Sequence, residues 1–457
     1  MSFLPGLTDA AVVPEVYIDE NEIHKQTIPM GSLWKIKVAQ ESKMTMKVIT
    51  GIAEIFGTEL ANNIDYNFQN WNFTIFAVEE IQLEWKGSDN HPAVEGEDVI
   101  PNKTSQYIYN LHFALEKLRS QTFYGPKIMV IGNKNVGKTA LCRTLSSYTI
   151  KFKSFQPMFI NLNPQESIFS PPGCVSATPI SDILDVQLPI WGQSMTSGAT
   201  SLHTKQPLLK LFGLEMISEN KDLYLNSIDS LAKDVDERLQ NDALIQRSGC
   251  IINAPPLSQL DDNYDSLLHI IKKFDIKLVV MISDETNEEE NLQFEKISQL
   301  ITPELGSNFI RFPKLSGVIE SDETYDRSLQ RSATREYFYG NPNTALSPFS
   351  VTVDYEDLMI WEPINVINVT YPASIDKTNM LELKPVTITP GTIQHALISI
   401  TYADKHAKPE DVRNAPILGF ALVTEVNEKR RKIRILIPVP GNFPNNATIL
   451  TSYRYLE

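Results

Sequence analysis

Lys127-Ile-Met-Val-Ile-Gly-Asn-Lys-Asn-Val-Gly-Lys-Thr139 is the stretch of sequence that decides the fold. Its first five residues form an apolar run of strand length, and the residues from Thr139 to Ile150 repeat their apolar positions at helical spacing. The glycine-rich segment between them therefore lies between a predicted strand and a predicted helix. That context is typical of a phosphate-binding loop.

Each residue type in this loop has a physical task. Gly132 and Gly137 permit backbone conformations that a side chain would forbid. The loop amides point inward, and the N-terminus of the helix adds positive potential. We predict that Lys138 contacts the β- and γ-phosphates of a nucleoside triphosphate and that the Thr139 hydroxyl is a ligand of Mg²⁺. The predicted nucleotide-binding residues are Gly132, Asn133, Lys134, Asn135, Val136, Gly137, Lys138, Thr139 and Ala140.

Composition limits the class of protein. A chain of 457 residues is too long for one compact core, so about two to four domains are expected. The formal net charge of −15 argues against a broad, non-specific nucleic-acid binder, which needs a net basic face. The three cysteines have no metal-ligand spacing and are interpreted as reduced, packed thiols of a cytosolic or nuclear protein. No apolar run is long enough to span a bilayer.

Strand-like and helix-like segments alternate around the loop. Further buried strands are predicted at 157–162, 249–252, 276–282 and 308–312, and helices at 107–119, 221–244, 265–274 and 288–300. Apolar strands separated by helices indicate a parallel sheet covered on both faces, and ligands of such sheets bind at the carboxyl ends of the strands. The connection at 164–216 is predicted to be a long, functional loop.

Two regions rich in short strands flank this central part. From about residue 23 to 85, alternating strands predict a β-sandwich or barrel with Trp34, Trp71 and Trp85 in its core. Residues 87–103 are predicted to be a linker. From about residue 341 strands are predicted again, at 349–353, 386–388, 397–401 and 418–425, with a hairpin over 417–438. The basic cluster at 429–434 is interpreted as solvated charge more readily than as an RNA site.

Four motifs occur in order along the chain: Gly51-Ile-Ala-Glu-Ile-Phe-Gly-Thr-Glu-Leu60, the phosphate-binding loop, Arg335-Glu-Tyr-Phe-Tyr-Gly340 and Pro385-Val-Thr-Ile-Thr-Pro390. With the ending Leu450-Thr-Ser-Tyr-Arg-Tyr-Leu-Glu457, they resemble the eukaryotic polynucleotide 5′-hydroxyl-kinase family, in particular the Clp subunits of the fungal mRNA cleavage and polyadenylation factor. The resemblance implies an α/β chain of three domains: an N-terminal β-sandwich at 1–103, a central P-loop domain with a mainly parallel sheet at 104–340, and a small, β-rich α+β domain at 341–457.

The resemblance also implies a cellular role. It implies that the nucleotide is ATP, bound with Mg²⁺, and that Arg335 closes over the phosphates from a lid segment. It implies a nuclear protein that joins the cleavage factor through a large scaffold subunit, which also binds the RNA polymerase II tail. Other cleavage and polyadenylation subunits are implied as partners. Contact with RNA is expected to be weak or indirect, and no contact with a membrane is expected.

The position that carries catalysis in the family differs here. Active members have an aspartate at the end of the second strand of the P-loop domain, where this chain has Asn163. An amide cannot accept a proton at neutral pH, and the loss of a general base typically costs about 10²–10⁴ in rate. Glu166 is near in sequence, but Pro164 is expected to direct the chain away from the site.

Substrate-binding positions differ from the family as well. Leu257 replaces a tryptophan that stacks on RNA, and Gln330 replaces a lid arginine. Leu33 and Asn72 replace an acidic residue and a lysine that touch the nucleotide base, so the base is held either by backbone and Asn72 or with relaxed selectivity. We therefore favour an ATP-binding subunit without catalytic residues, required for cleavage in polyadenylation-dependent mRNA 3′-end formation. An active ATP-dependent RNA 5′-hydroxyl kinase stays open as the alternative. A GTPase-like switch is weaker, because no guanine-reading motif follows the fourth strand.

Overall fold

The computed structural model describes residues 22–87, 99–153, 155–191, 207–305, 308–341, 344–367 and 380–456. Within these ranges, three sheets of seven strands each follow one another along the chain. The first and third sheets lie in the parts of the chain that flank the phosphate-binding loop, and the second contains the strand that leads into the loop. The predicted α/β architecture, with β-rich regions on both sides of a P-loop domain, is confirmed.

The N-terminal region is antiparallel throughout. Its strands are β1 (His24–Ile28), β2 (Ser32–Thr50), β3 (Ala53–Ile55), β4 (Thr58–Glu59), β5 (Asp65–Ala77), β6 (Ile81–Gly87) and β7 (Ile100–Pro101). The sheet order is β1-β6-β2-β5-β3-β4, with β7 paired to β2. The strand-like runs at 34–38 and 44–48 belong to one long strand, because β2 only shifts register between Val38 and Lys43. Trp34, Trp71 and Trp85 are buried in the core, as predicted.

The central domain contains a sheet with the order β11-β10-β9-β12-β8-β13-β14. Its elements are α1 (Ser105–Gln121), β8 (Lys127–Gly132), α2 (Lys138–Lys153), β9 (Met158–Asn161), β10 (Cys174–Pro179), β11 (Leu208–Leu211), α3 (Lys221–Asn241), α4 (Ala243–Ser248), β12 (Cys250–Asn253), α5 (Asp265–Lys273), β13 (Leu278–Ser283), α6 (Glu288–Leu305), β14 (Phe309–Pro313) and α7 (Glu323–Tyr339). The five strands from β9 to β14 in this order run parallel, which confirms the predicted parallel sheet.

Three details of the central domain differ from the sequence prediction. The connection at 164–216 is not only loop, because β10 and β11 add two antiparallel strands to the sheet. β10 contains small and polar residues, and β11 has only four residues, one of them Lys210, so neither shows the continuous apolar pattern of the parallel strands. The predicted helix at 221–244 is two helices, because the Asp242 side chain accepts the amides of Leu244 and Ile245 and begins α4.

The third difference concerns the buried face of α1. The sequence pattern placed Leu111, Ala114, Leu115 and Leu118 on one apolar face. Leu111 and Leu115 are buried, but Ala114 and Leu118 are exposed. Polar residues of the same helix, including the Glu116–Arg119 ion pair, are buried instead.

The C-terminal domain is built on a mixed sheet with the order β17-β22-β21-β20-β23-β18-β19. Its elements are β15 (Gly340–Asn341), β16 (Thr344–Ala345), β17 (Phe349–Asp354), β18 (Ile360–Pro363), β19 (Leu383–Pro385), α8 (Pro390–Ile393), β20 (Ala396–Asp404), α9 (Pro409–Asn414), β21 (Ile417–Asn427), β22 (Lys432–Ile437) and β23 (Asn446–Arg454). The predicted hairpin is confirmed as β21 and β22. The predicted strand at 386–388 is wrong, because β19 ends at Pro385.

Helix α7 connects the central and C-terminal domains. Tyr337, near its end, is buried, and its hydroxyl accepts the backbone amide of Phe420 on β21 at 2.9 Å. The two rings also pack edge to face, with centroids 5.6 Å apart. Helix α7, which contains the predicted lid segment, is therefore anchored at its C-terminal end, while its first turn is bonded to the phosphate-binding loop.

The three cysteines behave as predicted. Cys142, Cys174 and Cys250 are all buried and unpaired. Burial raises the pKa of the Cys174 and Cys250 thiols to about 12. Thiols of this kind are protonated at neutral pH and are inert in exchange reactions.

Candidate nucleotide-binding site

The phosphate-binding loop lies at the carboxyl end of β8, between β12 and β13 in the sheet. Gly132 and Gly137 have φ values of 148° and 100°, which side-chain-bearing residues rarely adopt. A Cβ on Gly132 would lie 2.5 Å from the Ile282 carbonyl oxygen, and one on Gly137 would lie 2.7 Å from Leu315 Cδ1. A side chain at either position would therefore strain the backbone and lie too close to a neighbouring atom.

Lys138 is the charged group at the base of the loop. Its side chain is buried, and burial lowers its pKa to about 8. The Nζ atom donates to the Asn133 carbonyl oxygen at 2.7 Å. An ammonium carries three donors, so Lys138 retains capacity for further acceptors. A buried ammonium that faces a cavity fits an anionic ligand, and this observation supports a phosphate site.

The loop opens into a cavity of about 700 Å³. This volume lies within the usual range for a small-molecule or cofactor site. The N-terminal sandwich contributes Phe56, Trp71, Asn72, Phe73 and Thr74 to the walls; the loop and α2 contribute Lys134, Asn135, Gly137, Lys138, Thr139, Ala140 and Arg143. Helix α7 contributes Glu323, Tyr325, Asp326, Arg327, Leu329 and Gln330. The N-terminal sandwich, the loop with α2, and α7 thus line one site.

Helix α7 and the segment before it are bonded to the loop. Lys134 Nζ lies 2.5 Å from Asp326 Oδ2 on the first turn of α7. Asn135 Nδ2 donates to the Ser321 carbonyl oxygen at 3.2 Å, and Ser321 Oγ donates to Asn135 Oδ1 at 3.0 Å. The side chains of Lys134 and Asn135 therefore hold α7 and the segment before it against the loop.

The same lid region is bonded to the N-terminal sandwich. The backbone amide of Asn72 donates to the Tyr325 hydroxyl at 2.8 Å, and Thr74 Oγ1 donates to the Gly317 carbonyl oxygen at 2.8 Å. Asn70 bonds two residues of α7, accepting from Ser328 Oγ at 3.0 Å and donating to Ser332 Oγ at 2.9 Å. The cavity is therefore closed on the side of the sandwich by a continuous set of hydrogen bonds.

A second polar cluster lies beside the loop, at the ends of β9 and β12. Thr139 Oγ1 donates to Glu166 Oε2 at 2.8 Å, and Asn253 Nδ2 donates to the same oxygen at 2.9 Å. Asn163 Nδ2 donates to Glu166 Oε1 at 3.2 Å. We call Glu166, Thr139, Asn163 and Asn253 the strand-end cluster. Its carboxylate touches the hydroxyl that was predicted to bind Mg²⁺.

The position of Glu166 corrects a prediction. Pro164 was expected to direct the chain away from the site, but the chain turns back immediately: the Glu166 amide donates to the Asn163 carbonyl oxygen at 3.2 Å. Asn161 Nδ2 fixes this turn by donating to the carbonyl oxygens of Asn163 and Glu166 at 3.1 and 3.0 Å. A proline after a strand thus begins a tight turn that returns the carboxylate to the site.

The strand-end cluster has the donor chemistry of a Mg²⁺ site. Mg²⁺ prefers oxygen ligands and is usually held by one or two protein groups together with phosphate oxygens and water. Thr139 Oγ1 and the Glu166 carboxylate supply such oxygens, and Asn253 Oδ1 is buried without a hydrogen-bond partner among the described residues. The described residues contain no group of three or more His, Cys, Asp and Glu that could hold a metal alone, so the ligand's phosphates would have to complete the shell.

Models of known families match almost the whole chain. Residues 27–122 match the N-terminal β-sandwich domain of polyadenylation factor, and residues 132–340 match the P-loop domain of mRNA cleavage and polyadenylation factor CLP1. Residues 346–457 match pre-mRNA cleavage complex II protein Clp1. The chain belongs to the CLP1 family. CLP1 of Vanderwaltozyma polyspora is 54% identical over 459 residues, which cover 100% of both chains. CLP1 of Saccharomyces cerevisiae is 53% identical, also with 100% of both chains covered.

Two solved structures of CLP1 family members resemble this fold over 96% of the chain and 100% of their own, with TM-scores of 0.89 and 53% identity. One is wild-type Clp1p in complex with Pcf11p. The other concerns the extended interface between Pcf11p and Clp1p and the structural basis for ATP loss in a glycine-to-arginine point mutant. In the described part of this CLP1 family chain, no helix is both long and apolar enough to cross a membrane.

Of the other residues singled out in the sequence, only some lie at the site. Arg335 is exposed on α7 and does not line the cavity, so its nucleotide contact stays a prediction. Gln330 does line the cavity and donates to the Gln165 carbonyl oxygen at 3.1 Å. Leu257 is buried in the core of the central domain. In the basic cluster, Arg431 pairs with Glu356, which agrees with its interpretation as solvated charge.

Leu33 and Asn72, where the family resemblance implies charged groups, lie on the paired strands β2 and β5 and line different cavities. Leu33 is buried and lines a small cavity that also contains Phe56 and Thr74, two residues of the main cavity wall. Asn72 lines the main cavity, and its backbone amide is used by Tyr325. Neither position places a charge at the cavity wall.

Arg143 and Trp71 are site residues that the sequence did not indicate. The buried Arg143 guanidinium lies 5.2 to 5.6 Å from the ring centroids of Phe56, Trp71 and Trp191, and burial lowers its pKa to about 9. Trp71, predicted only as core, also lines the cavity. These aromatic residues come from distant segments, so no local spacing could have identified the cluster.

Proposed function

We propose that this chain is an ATP-binding, non-catalytic subunit of the nuclear factor that cleaves pre-mRNA before polyadenylation. In this role it would join the factor through a scaffold subunit of the Pcf11 type, which also binds the RNA polymerase II tail. Membership of the CLP1 family supports the processing role, and the complexes of a relative with Pcf11p support the partner.

The observation that carries the ATP-binding part is the large cavity beside a buried lysine. Lys138 is buried beside two glycines that no other residue can replace without strain. The lid helix is bonded to the loop through Asp326 and to the sandwich through Tyr325. A ligand that contacts all three parts stabilises their arrangement by mass action, about 2.7 kcal/mol when its concentration is 100 times its dissociation constant. Bound ATP would thereby preserve a fixed docking surface.

The non-catalytic part rests on how the strand-end cluster is built. A general base must reach the proton of the attacking hydroxyl with a free lone pair. Asn163 has no such capacity, and its amide nitrogen donates to the nearest carboxylate, Glu166. Glu166 in turn accepts from Thr139 and Asn253. This arrangement suits a carboxylate that orients Mg²⁺ and its water through Thr139.

ATP retention can be tested by denaturing freshly purified protein and identifying the nucleotide that is released. We expect about one equivalent of ATP per chain. Release of ADP, or of no nucleotide, would contradict a resident triphosphate. Lack of catalysis is tested by incubation with γ-labelled ATP and a 5′-hydroxyl oligoribonucleotide, where no transfer above a Lys138→Met control is expected.

An active RNA 5′-hydroxyl kinase is the second candidate, and the position of Glu166 favours it more than the sequence did. The Glu166 carboxylate could accept a proton if the Thr139 hydroxyl bound Mg²⁺ and no longer donated its hydrogen bond to Glu166. Transfer of label by the wild type that disappears in Glu166→Gln would establish this candidate. Under the non-catalytic proposal, neither protein labels the RNA.

A further inference from the structure

The corner of the main cavity around Arg143 has hydrogen-bond donors without acceptors. Among the described residues, Arg143 Nη1 and Trp71 Nε1 are buried and have no hydrogen-bond partner, and both residues line this cavity. The Arg143 guanidinium carbon lies 5.6 Å from the centre of the Trp71 ring, so the two donors belong to neighbouring side chains. Buried donors without an acceptor are rare and costly, and a bound ligand is one way to satisfy them.

Arg143 is surrounded in much the same way as Lys138, the predicted phosphate-binding cation. The two side chains are 2% and 6% exposed and line the same cavity. Each donates to one backbone carbonyl oxygen, Lys138 to that of Asn133 and Arg143 to that of Asp185. The Asp185 carboxylate itself accepts the Gln187 amide at 2.8 Å. In the part of the chain that the structure describes, no carboxylate lies within ion-pair distance of Arg143, and a buried cation without such a partner favours an anion from outside.

Arg143 is directed to a different part of the cavity from the loop. It lies five residues after Lys138 on α2, which places it about 7.5 Å further along the helix axis and about 140° around it. Its guanidinium lies over the rings of Phe56, Trp71 and Trp191. An anion at Arg143 would therefore be separate from phosphates held at the N-terminus of α2.

We propose that Arg143 and Trp71 form a second anion subsite of the cavity, which binds a phosphate group other than those of the nucleotide at the loop. Arg143 Nη1 and Trp71 Nε1 donate to oxygens of this phosphate, which is either the free ion or a small phosphate monoester. Arginine is well suited to phosphate, and the three rings hold the guanidinium in place through cation–π contacts. The proposal concerns a second ligand and does not require that the nucleotide be ATP.

A nucleobase fits this corner of the cavity less well than a phosphate. Recognition of a base by stacking needs a free ring face. Arg143 already lies over Phe56, Trp71 and Trp191, and Trp191 also packs on Phe159 with ring centroids 4.3 Å apart. The two unpartnered groups can only donate hydrogen bonds, so they match a ligand that presents several acceptor oxygens.

The test is binding of labelled inorganic phosphate to the full chain while the loop is occupied. The protein is saturated with Mg²⁺ and a non-hydrolysable ATP analogue, and equilibrium dialysis at constant ionic strength counts the bound phosphate. We expect one phosphate per chain. Tighter binding of glycerol 3-phosphate than of the free ion would support the subsite with an ester as its ligand. Failure of both to bind, or equally effective displacement by acetate, would overturn the proposal.

Substitutions assign the bound phosphate to the subsite. Arg143→Met should weaken phosphate binding at least tenfold, because hydrogen bonds from charged groups contribute a factor of this size or more. Trp71→Phe keeps the aromatic ring, removes only the donor and should weaken binding about tenfold, which decides the matter if Arg143→Met does not fold. Trp361→Phe is the matched control: Trp361 Nε1 is also buried without a partner among the described residues, but Trp361 does not line this cavity.

The remaining outcomes separate this subsite from the loop and from the proposed function. Phosphate that the nucleotide analogue displaces would belong to the loop and would overturn the proposal, as would equal binding by the Trp71→Phe and Trp361→Phe variants. The nucleotide released on denaturation is measured in the same preparation before the analogue is added. One equivalent of ATP in a protein that binds no second phosphate would refute the subsite and leave the proposed function standing.

Discussion

The phosphate-binding loop and the strand-end cluster lie in the same cavity, but their polar groups are satisfied in different ways. In the loop, the buried Lys138 ammonium donates to a single neutral carbonyl. In the strand-end cluster, Glu166 accepts hydrogen bonds from Thr139, Asn163 and Asn253. The loop thus presents a cation that can bind an external anion. The carboxylate of the strand-end cluster is already hydrogen-bonded by other residues of the protein.

This difference shows that binding a nucleotide and moving its phosphate are separable properties. The loop needs glycines that permit its conformation and a buried cation, and this chain retains both. Transfer also needs a carboxylate whose lone pair is aimed at a hydroxyl. Here the carboxylate is diverted to Thr139, the predicted ligand of Mg²⁺, so the two halves can be altered one at a time.

The largest effect is expected in the loop. Lys138→Met should weaken ATP binding about 100-fold or more, because hydrogen bonds to charged groups contribute roughly 1.5–3 kcal/mol each. The nucleotide-free protein should lose no stability, because desolvation already disfavours the buried ammonium. Titration calorimetry and thermal unfolding measure the two effects.

The matched control for this prediction is Lys134→Met, in the same loop. The Lys134 ammonium is partly exposed and paired with Asp326, and surface pairs contribute only about 0–1 kcal/mol. Equal losses of affinity in both variants would mean that the loop does not hold its ligand through the buried cation.

The strand-end cluster should respond through the metal. Glu166→Gln should raise the Mg²⁺ concentration needed for ATP binding about tenfold, because groups that orient metal ligands typically contribute 10–100-fold to metal affinity. Affinity for ATP without Mg²⁺ should change little. Nucleotide titrations at fixed Mg²⁺ concentrations, with excess EDTA as the zero point, measure both values.

Glu323→Gln is the control, since Glu323 also lines the cavity but pairs with Arg327 on α7. If the Mg²⁺ requirement of Glu166→Gln matched that of the control, Glu166 would have no part in holding the metal. That result would favour the kinase candidate, because the Glu166 carboxylate would then be available as a general base.

Local sequence predicted the loop better than its surroundings, for a physical reason. Gly132, Gly137 and Lys138 act within one segment, so their spacing is visible in the chain. Glu166 was misjudged because its place depends on a turn held by Asn161, on the preceding strand. Side-chain hydrogen bonds of this kind have no periodicity.

The aromatic cavity wall and the buried face of α1 could not be predicted from the sequence, for a related reason. Arg143 contacts rings from three distant segments, and only the folded chain brings them together. Leu118 was assigned to a buried face on its spacing, but the helix buries Glu116 and Arg119 as an ion pair. The parallel sheet, by contrast, was predictable, because continuous apolar strands have a signature in the sequence.

The pH dependence of binding can sharpen the comparison without a mutation. Burial lowers the pKa of Lys138 to about 8 in the nucleotide-free protein, and a bound triphosphate raises it. Affinity for ATP should therefore be constant below this pH and fall as pH rises through it, because the free protein must take up a proton to bind. The expected loss is about tenfold between pH 7 and pH 9.

Affinity is measured at constant ionic strength and saturating Mg²⁺. Lys134→Met serves as the control and should follow the same curve, since the lost group is not the one that titrates. A flat profile through pH 9, or a loss of affinity on the acid side instead, would contradict a desolvated Lys138 as the anion-binding group.

The smallest effect is expected at the lid, which tests whether closure retains the nucleotide. The Tyr325 hydroxyl on α7 accepts a hydrogen bond from the backbone amide of Asn72 at 2.8 Å. Tyr325→Phe leaves this amide without an acceptor, which costs roughly 1 kcal/mol or more and favours the open lid. Release of a fluorescent ATP analogue, chased with unlabelled ATP, should become about fivefold faster, whereas Tyr402→Phe on the exposed face of β20 should leave the rate unchanged. Among the described residues, the Tyr325 hydroxyl bonds the Asn72 amide and no group of the loop or of the strand-end cluster. A faster release with unchanged Mg²⁺ and pH dependence would therefore assign retention to α7. An unchanged rate would mean that the phosphate loop holds the nucleotide without this contact.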